Sequence, residues 1–328
     1  MTTSCTHALE LALNLLGMKP GDEVIVPSFT YPSTANAVLV AGGQPVFCEV
    51  EPKHLTLDAG RLERHITERT KAVVAVHYGG ICCDMDAVMA VARARSLVVV
   101  EDAAQGFLST WRGQPAGALG DMGCFSFHGT KDFIAGEGGA LLLNSGGCDD
   151  AAAAYRMKGT DSQAFRDGLV PRYQWISPGS SYSPSELNMA LLWSQLSQWE
   201  EVLACRRVLF AAYAAFFSRN CFPGLSGWSM PREGCRHNGH LYYIIFGEAS
   251  EAQLFRHWMQ ERGIPVRTHF VPLHESAMGS RFVRRGNRFI HEEGLGSRLV
   301  RLPLHPGLSP ADHQLIMDAV TCFFRRLR

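Results

Sequence analysis

The sequence predicts an α/β protein in which a mostly parallel sheet is covered by helices on both faces and followed by a smaller α+β portion. Two observations carry this expectation. Through the first two-thirds of the 328 residues, short apolar runs of strand length alternate with stretches of helical length. After Ser185 the alternation gives way to one run, 187–217, with helical periodicity and neither Pro nor Gly. The change of texture divides the chain into a larger portion, 1–200, and a smaller one, 201–328.

Taken in order, Leu9, Leu13 and Leu16 recur at helical spacing until Gly17, which suits the position just past a helix end. Lys19-Pro20-Gly21-Asp22 then turns the chain. Strands are expected at 23–27, 45–50, 72–77, 97–101, 123–127 and 140–143, with helices at 57–67 and 85–95 among them. The run 187–217 reads as one long helix or two in series. A strand at 241–246, a helix at 251–262, a strand at 265–270 and a helix at 311–326 complete the smaller portion.

Composition narrows the function. Lys+Arg and Asp+Glu balance at 31 each, which excludes a partner held by bulk charge, such as duplex DNA or an anionic membrane. With 46% hydrophobic, 19% charged and 10% aromatic residues, the chain is no disordered segment. No apolar run is long enough to span a bilayer, and the N-terminus lacks a basic region and places Glu10 within its apolar stretch. Ten scattered cysteines without a C-x2-C pair read as reduced thiols of a cytoplasmic protein, with no metal site. The basic cluster 281–288 and the terminal FFRRLR read as solvated surface.

Four elements carry possible chemistry. Ligands of open α/β sheets gather beyond the carboxyl ends of the strands. The acids Glu101 and Asp102 stand at such an end, where a carboxylate either caps a following helix or holds a cationic ring nitrogen. Lys131 follows a strand and precedes a glycine-rich turn, in a chain where lysines are scarce. A desolvated lysine amine is a usable nucleophile that forms Schiff bases with carbonyls. Thr3-Ser4-Cys5-Thr6-His7 opens a helix, whose free N–H groups suit a phosphate. Tyr31 lies in the loop Pro27-Ser28-Phe29-Thr30-Tyr31 and either stacks on a planar ring or packs in the core. Together these elements fit pyridoxal 5'-phosphate.

With these residues in place, the chain resembles the DegT/DnrJ/StrS sugar aminotransferases, pyridoxal-phosphate enzymes of the aspartate aminotransferase-like fold (fold type I). The likeness rests on GDEVIVPSFTYPSTANAV, AVVAVHYGG, VVVEDAAQG, GCFSFHGTKDFIAGEGGA, PGSSYSPSELNMALLW, HNGHLYYIIF and RLPLHPGLSP. The resemblance implies that Lys131 is the Schiff-base lysine, Asp102 the partner of the ring nitrogen, Gln105 a contact to the ring hydroxyl and Tyr31 the stacking residue. It places Thr6, His7 and Ser126 at the phosphate, and Ser181 where relatives carry an Asn that reaches the partner subunit's phosphate. His269 and His274 fall in a segment similar to the substrate-facing loop.

The implied reaction moves an amino group from L-glutamate to a sugar nucleotide, with Lys131 shuttling the proton. The runs EDAAQG, GCFSFH and GSSY resemble members that aminate the 4-keto group of a dTDP-linked 4-keto-6-deoxyhexose for surface polysaccharides such as enterobacterial common antigen. A 3-keto sugar substrate, or a catalytically weak homologue that binds cofactor or sugar nucleotide, stands as the alternative. The resemblance further implies a homodimer, and a leading segment of about fifty residues, enough for an opening helix and part of a small domain.

Overall fold

Runs rich in Val and Ile lie at the centre of the molecule as strands. The structure, a computed structural model, describes residues 1–326; the last two residues of the basic terminus lie outside the described residues. The strands of the larger portion are β1 (Glu23–Pro27), β2 (Gln44–Cys48), β3 (Thr70–Val76), β4 (Val98–Asp102), β5 (Thr110–Trp111), β6 (Gln114–Pro115), β7 (Met122–Ser126) and β8 (Gly139–Leu143). Six of them form one sheet in the order β2-β1-β3-β4-β7-β8, parallel except for β8, which runs antiparallel to β7. The order reverses direction between β1 and β3, the kind of switch point at which α/β sheets bind ligands.

Side-chain alternation assigns the faces. Ile25, Val73 and Val99 pack with Met85, Val88 and Ala92 of helix Met85–Ala94. Val24, Val26, Val74 and Val100 pack on the other face with Leu9 and Leu13 of helix Cys5–Asn14 and with Ala37 and Val38 of helix Pro32–Val40. Both faces are therefore dry, which is why these strands read as continuous apolar runs.

The remaining strands are β9 (Leu225–Trp228), β10 (Cys235–Arg236), β11 (Tyr242–Phe246) and β12 (Leu299–Leu302). An antiparallel sheet orders them β12-β11-β9, while β10 joins β5 and β6. Helices Trp199–Arg219, Ala249–Gln260 and Pro310–Arg326 close over this sheet through Phe217, Tyr242, Phe246, Phe255, Phe323 and Phe324.

Most expected elements are present within a few residues, and the differences have local causes. The run 187–217 forms two helices, Glu186–Leu196 and Trp199–Arg219. The helix expected at 57–67 shrinks to Ala59–Leu62 and a 3-10 turn, because Leu57 pairs with Val50 and Asp58 caps the start by accepting from Gly60 N–H. The strand expected at 265–270 is absent. Only Arg267 pairs, with Arg301, and Val266 N–H turns back to Ile264 O at 3.0 Å. Helix Pro32–Val40 went unexpected, although Pro at its first position is a start signal. Of the ten cysteines, all free, Cys5, Cys48, Cys82, Cys83 and Cys124 are buried, while Cys221 and Cys322 are exposed.

The acid pair ending β4 separates as strand geometry demands, one side chain to each face. Glu101 is sealed from solvent. Its Oε2 accepts from His77 Nε2 and Gly117 N–H, both at 2.7 Å, and its Oε1 from Leu119 N–H at 2.7 Å and Gly120 N–H at 2.6 Å. Cys83 N–H donates to His77 Nδ1 at 3.2 Å, so that nitrogen keeps its lone pair and the hydrogen resides on Nε2. Removing this carboxylate strands four buried donors. Glu101→Ala is expected to lower unfolding free energy by about 3–5 kcal/mol in urea titrations; a change within experimental error would refute the anchoring role.

Candidate active site

The carboxyl ends of β1, β3, β4 and β7 open on one cavity of about 450 Å³, within the range of small-molecule sites. Its wall includes Thr6, Tyr31, Asp102, Gln105, Ser126, Lys131 and His269, seven of the residues singled out in the sequence. Asp102 is buried at the end of β4. Its Oδ2 accepts from Thr34 Oγ1 at 2.7 Å and its Oδ1 from Ala104 N–H at 3.1 Å. Thr34 Oγ1 in turn lies 2.9 Å from Thr30 Oγ1, so the hydroxyls of helix Pro32–Val40 and the loop before it fix the acid.

Lys131 lies in the connection of the β7–β8 hairpin. That loop is held by Lys131 N–H to His128 O (2.9 Å), Gly129 N–H to Gly136 O (2.9 Å) and Ala135 N–H to Phe127 O (2.7 Å). The cavity desolvates the amine, and burial lowers its pKa against the opposing pull of Cys5, Asp102 and Asp132. The result favours a neutral, nucleophilic amine more than an exposed lysine would.

Helix Cys5–Asn14 begins at the cavity, and its first amides precede any intrahelical acceptor. Gly139 packs so close to this start that a Cβ there would come within 2.3 Å of the Ser4 carbonyl carbon. Thr6 Oγ1 is 2.8 Å from Ser33 Oγ, bringing two hydroxyls together beside these amides. Gln105 Oε1 accepts from Gly79 N–H at 2.7 Å. Tyr31 is 57% exposed, its ring 5.7 Å from Phe270.

Three expected residues are not on the cavity wall. His7 is diverted by the helix cap: its N–H donates to Ser4 Oγ at 3.1 Å and its ring stacks on Tyr182. His274 sits in a 3-10 turn docked beneath β1, stacked on Phe289 at 4.1 Å, with Leu273 N–H bonded to Ser28 O. Ser181 is exposed, in an antiparallel bridge with Met157. Sequence reasoning in turn missed His240, Phe270 and Arg301, all on the wall. His240 lay within a quoted run, HNGHLYYIIF, and Arg301 in RLPLHPGLSP, but nothing in their spacing pointed to the cavity.

The donor set matches pyridoxal phosphate: a carboxylate fixed on one wall, a desolvated amine in the neighbouring loop, and helix amides with hydroxyls for an anion. Elsewhere, Cys48, Glu49 and His65 stand close enough to share a metal ion, but Arg64 already pairs with Glu49. A second cavity of about 370 Å³ beside them is lined by Arg61, Arg64, Arg288 and His291 with the acids Glu49 and Asp58.

Comparison with known proteins gives the family, the fold and the cofactor. Residues 1–321 match the DegT/DnrJ/EryC1/StrS aminotransferase family. The spore coat polysaccharide biosynthesis protein SpsC of Bacillus subtilis (strain 168) is 34% identical over 325 residues, 97% of this chain and 83% of that one. The GDP-perosamine synthase of Caulobacter vibrioides is 35% identical over 326 residues, 96% and 82% respectively. Among solved structures, the PMP-form of Spr1654 from Streptococcus pneumoniae superposes with a TM-score of 0.90 at 25% identity, covering 100% of this chain and 88% of that one. The fold is thus the expected aspartate aminotransferase-like one, and pyridoxal phosphate is its cofactor.

His269 gives the site an acid sensitivity. Burial, with Arg301, His240 and Lys131 nearby, lowers its pKa to about 2, and Nδ1 lies 2.6 Å from Tyr78 Oη. The unfolded chain protonates this ring near pH 6.5 and so binds more protons than the folded one below that value. Stability contributed by neutral His269 is full above about pH 6.5 and lost progressively toward pH 2. Melting temperature recorded against pH should fall through this window, with a shallower slope in His269→Gln; an unchanged slope would contradict the assignment.

Proposed function

The chain belongs to the DegT/DnrJ/EryC1/StrS aminotransferase family, sugar aminotransferases dependent on pyridoxal phosphate, and we propose that it moves an amino group from L-glutamate to the 4-keto group of a nucleotide-linked 6-deoxyhexose. The observation that carries this reading is the placement of the desolvated Lys131 amine and the Asp102 carboxylate on one cavity wall, beside the start of helix Cys5–Asn14. Pyridoxal phosphate, when bound, supplies an aldehyde that captures amines and a ring that withdraws electrons from the carbon bearing the amine.

The chain's own residues supply the rest. Asp102 holds the proton on the ring nitrogen, since a fixed carboxylate stabilises the charged form. The first-turn amides at Cys5 and Thr6, with the hydroxyls of Thr6 and Ser126, hold the phosphate. Gln105 orients the ring hydroxyl and Tyr31 covers the ring face. Lys131 Nζ takes the proton from the α-carbon of the amino donor, a task its neutral form suits. His269, neutral and fixed by Tyr78, lines the path of the sugar.

The runs EDAAQG, GCFSFH and GSSY favour a dTDP-linked sugar, while the relatives named for GDP-perosamine favour a GDP-linked one. The protein works as a homodimer in the cytoplasm on this reading. Trp175, Leu187 and Trp193 are 79%, 83% and 78% exposed on the stretch around Ser181, an apolar surface suited to a second copy. A partner so placed brings Ser181 to the neighbouring phosphate. Among the described residues no helix is long and apolar enough to cross a membrane.

Protein loaded with pyridoxal phosphate should show the visible band of lysine-bound cofactor and lose it on addition of L-glutamate. A band indifferent to glutamate would defeat the aminotransferase reading. Lys131→Ala is expected to retain cofactor without that band and to lose turnover by at least about 100-fold. Assays with dTDP- and GDP-linked 4-keto-6-deoxyhexoses, read by mass spectrometry of the amino sugar, decide the nucleotide. Trp193→Glu is expected to shift the dimer toward monomer in light scattering, and an unchanged mass would remove this surface from the interface.

A further inference from the structure

The lysine loop carries a second buried acid that the roles above leave without a task. Asp132 follows Lys131, and its side chain is only 7% exposed. Its Oδ1 lies 3.0 Å from Nη1 of Arg206, on helix Trp199–Arg219, and 3.0 Å from Nδ1 of His240. Its Oδ2 accepts from Asn238 Nδ2 at 3.1 Å. The hydrogen bond from His240 and the charge of Arg206 hold the carboxyl below its usual pKa despite burial, so it is ionised and can only accept. The nitrogen it meets on His240 therefore carries the hydrogen.

The other nitrogen of that ring is free to act. Burial, with the charge of Arg206 and the amine of Lys131 nearby, holds His240 below the usual histidine pKa against the opposing charge of Asp132. The ring is then neutral, and with Nδ1 protonated the lone pair belongs to Nε2. Nε2 has no hydrogen-bond partner among the described residues, and His240 shares the cavity wall with Lys131, His269 and Arg301. A small hole of about 10 Å³, the room of roughly one water, is lined by His240, Lys131, Asp132 and Ser126. A buried carboxylate, a ring fixed in one tautomer and an unused lone pair at a substrate cavity form the geometry of an oriented general base.

We propose that His240, oriented by Asp132, is the base that deprotonates the incoming amino donor. An α-amino group is largely an ammonium at neutral pH and must lose a proton before its nitrogen can attack. In the step, one N–H bond of the ammonium breaks and its electron pair stays on the donor nitrogen. The proton bonds to Nε2, and the imidazolium so formed is stabilised by the Asp132 carboxylate. Asp132 is a positioning residue, and Arg206 fixes it in turn. The inference rests on the aminotransferase reading above and adds a group to it. The charged or titratable groups around His240 are Asp132, Lys131, Arg206, His269 and Arg301, and its titration reports their sum.

The test follows a single turnover of L-glutamate to 2-oxoglutarate by the cofactor-loaded protein across pH, in wild type, His240→Gln and Asp132→Asn. Wild type should lose rate in acid as Nε2 becomes protonated before the donor arrives. His240→Gln should be slower by about 100-fold near neutral pH, with a rate that climbs as solution deprotonates the ammonium. Asp132→Asn keeps an acceptor for Nδ1–H but removes the charge, and should lose about tenfold. Nitrogen NMR of the cofactor-free protein gives a readout independent of turnover: His240 should carry its proton on Nδ1 and lose that preference in Asp132→Ala. Wild-type rates in His240→Gln, an equal loss at every pH, or an Nε2-protonated ring would overturn the inference while leaving the aminotransferase reading intact. A wild-type protein that does not convert glutamate would overturn both.

Discussion

The carboxylate of Glu101 is the fixed point about which the site is arranged. It sits in the sheet interior with no access to water and receives four hydrogen bonds, from the ring of His77 and the amides of Gly117, Leu119 and Gly120. A charge so buried survives only when fully satisfied, so the turn at 117–120 and the end of β3 have little freedom to move. Because successive side chains of a strand point to opposite faces, locking Glu101 on one face commits Asp102 to the other. Asp102 then meets Thr34 and the cavity. The position of the acid on the cavity wall is set by an acid that is not part of that wall.

Much of this was legible in the chain. Asp102 and Ser126 end strands, Gln105 and Lys131 follow those ends within a few residues, and strand ends are the easiest features to read from apolar runs. The parallel sheet followed from the same runs. What escaped was long-range or depended on backbone turns of a few residues. His240 reaches the lysine loop across 108 positions through Asp132. Arg301 arrives on a strand of the second sheet, through a pairing no local signal announces. His269 and His274 are five positions apart and looked equivalent, yet a 3-10 turn carries His274 to Phe289. For His7 the error lay in counting a helix amide as free when the Ser4 hydroxyl already occupied it.

Overall neutrality also acquires a local meaning. With 31 charges of each sign, the surface offers no general attraction to an anionic substrate. The cavity itself mixes Lys131 and Arg301 with Asp102 and Glu137, and its basic groups lie in a desolvated wall where each interaction is stronger than at the surface. Any attraction of the cavity for an anion thus comes from a few placed groups and from the helix start at its wall. Such recognition is less sensitive to salt than bulk attraction would be.

The contact of Asp132 with His240 and Arg206 has a consequence for how the protein is made. The lysine loop leaves the ribosome first, and His240 follows Asp132 by 108 residues. At ordinary elongation rates that interval lasts about 5–20 s. His240 is lacking throughout that interval and Arg206 through its first 74 residues, so the carboxylate of Asp132 gains its partners one after the other. The wall around Lys131 is thus complete only in the nearly finished chain, because His240, His269, Phe270 and Arg301 are the last of its residues to be made.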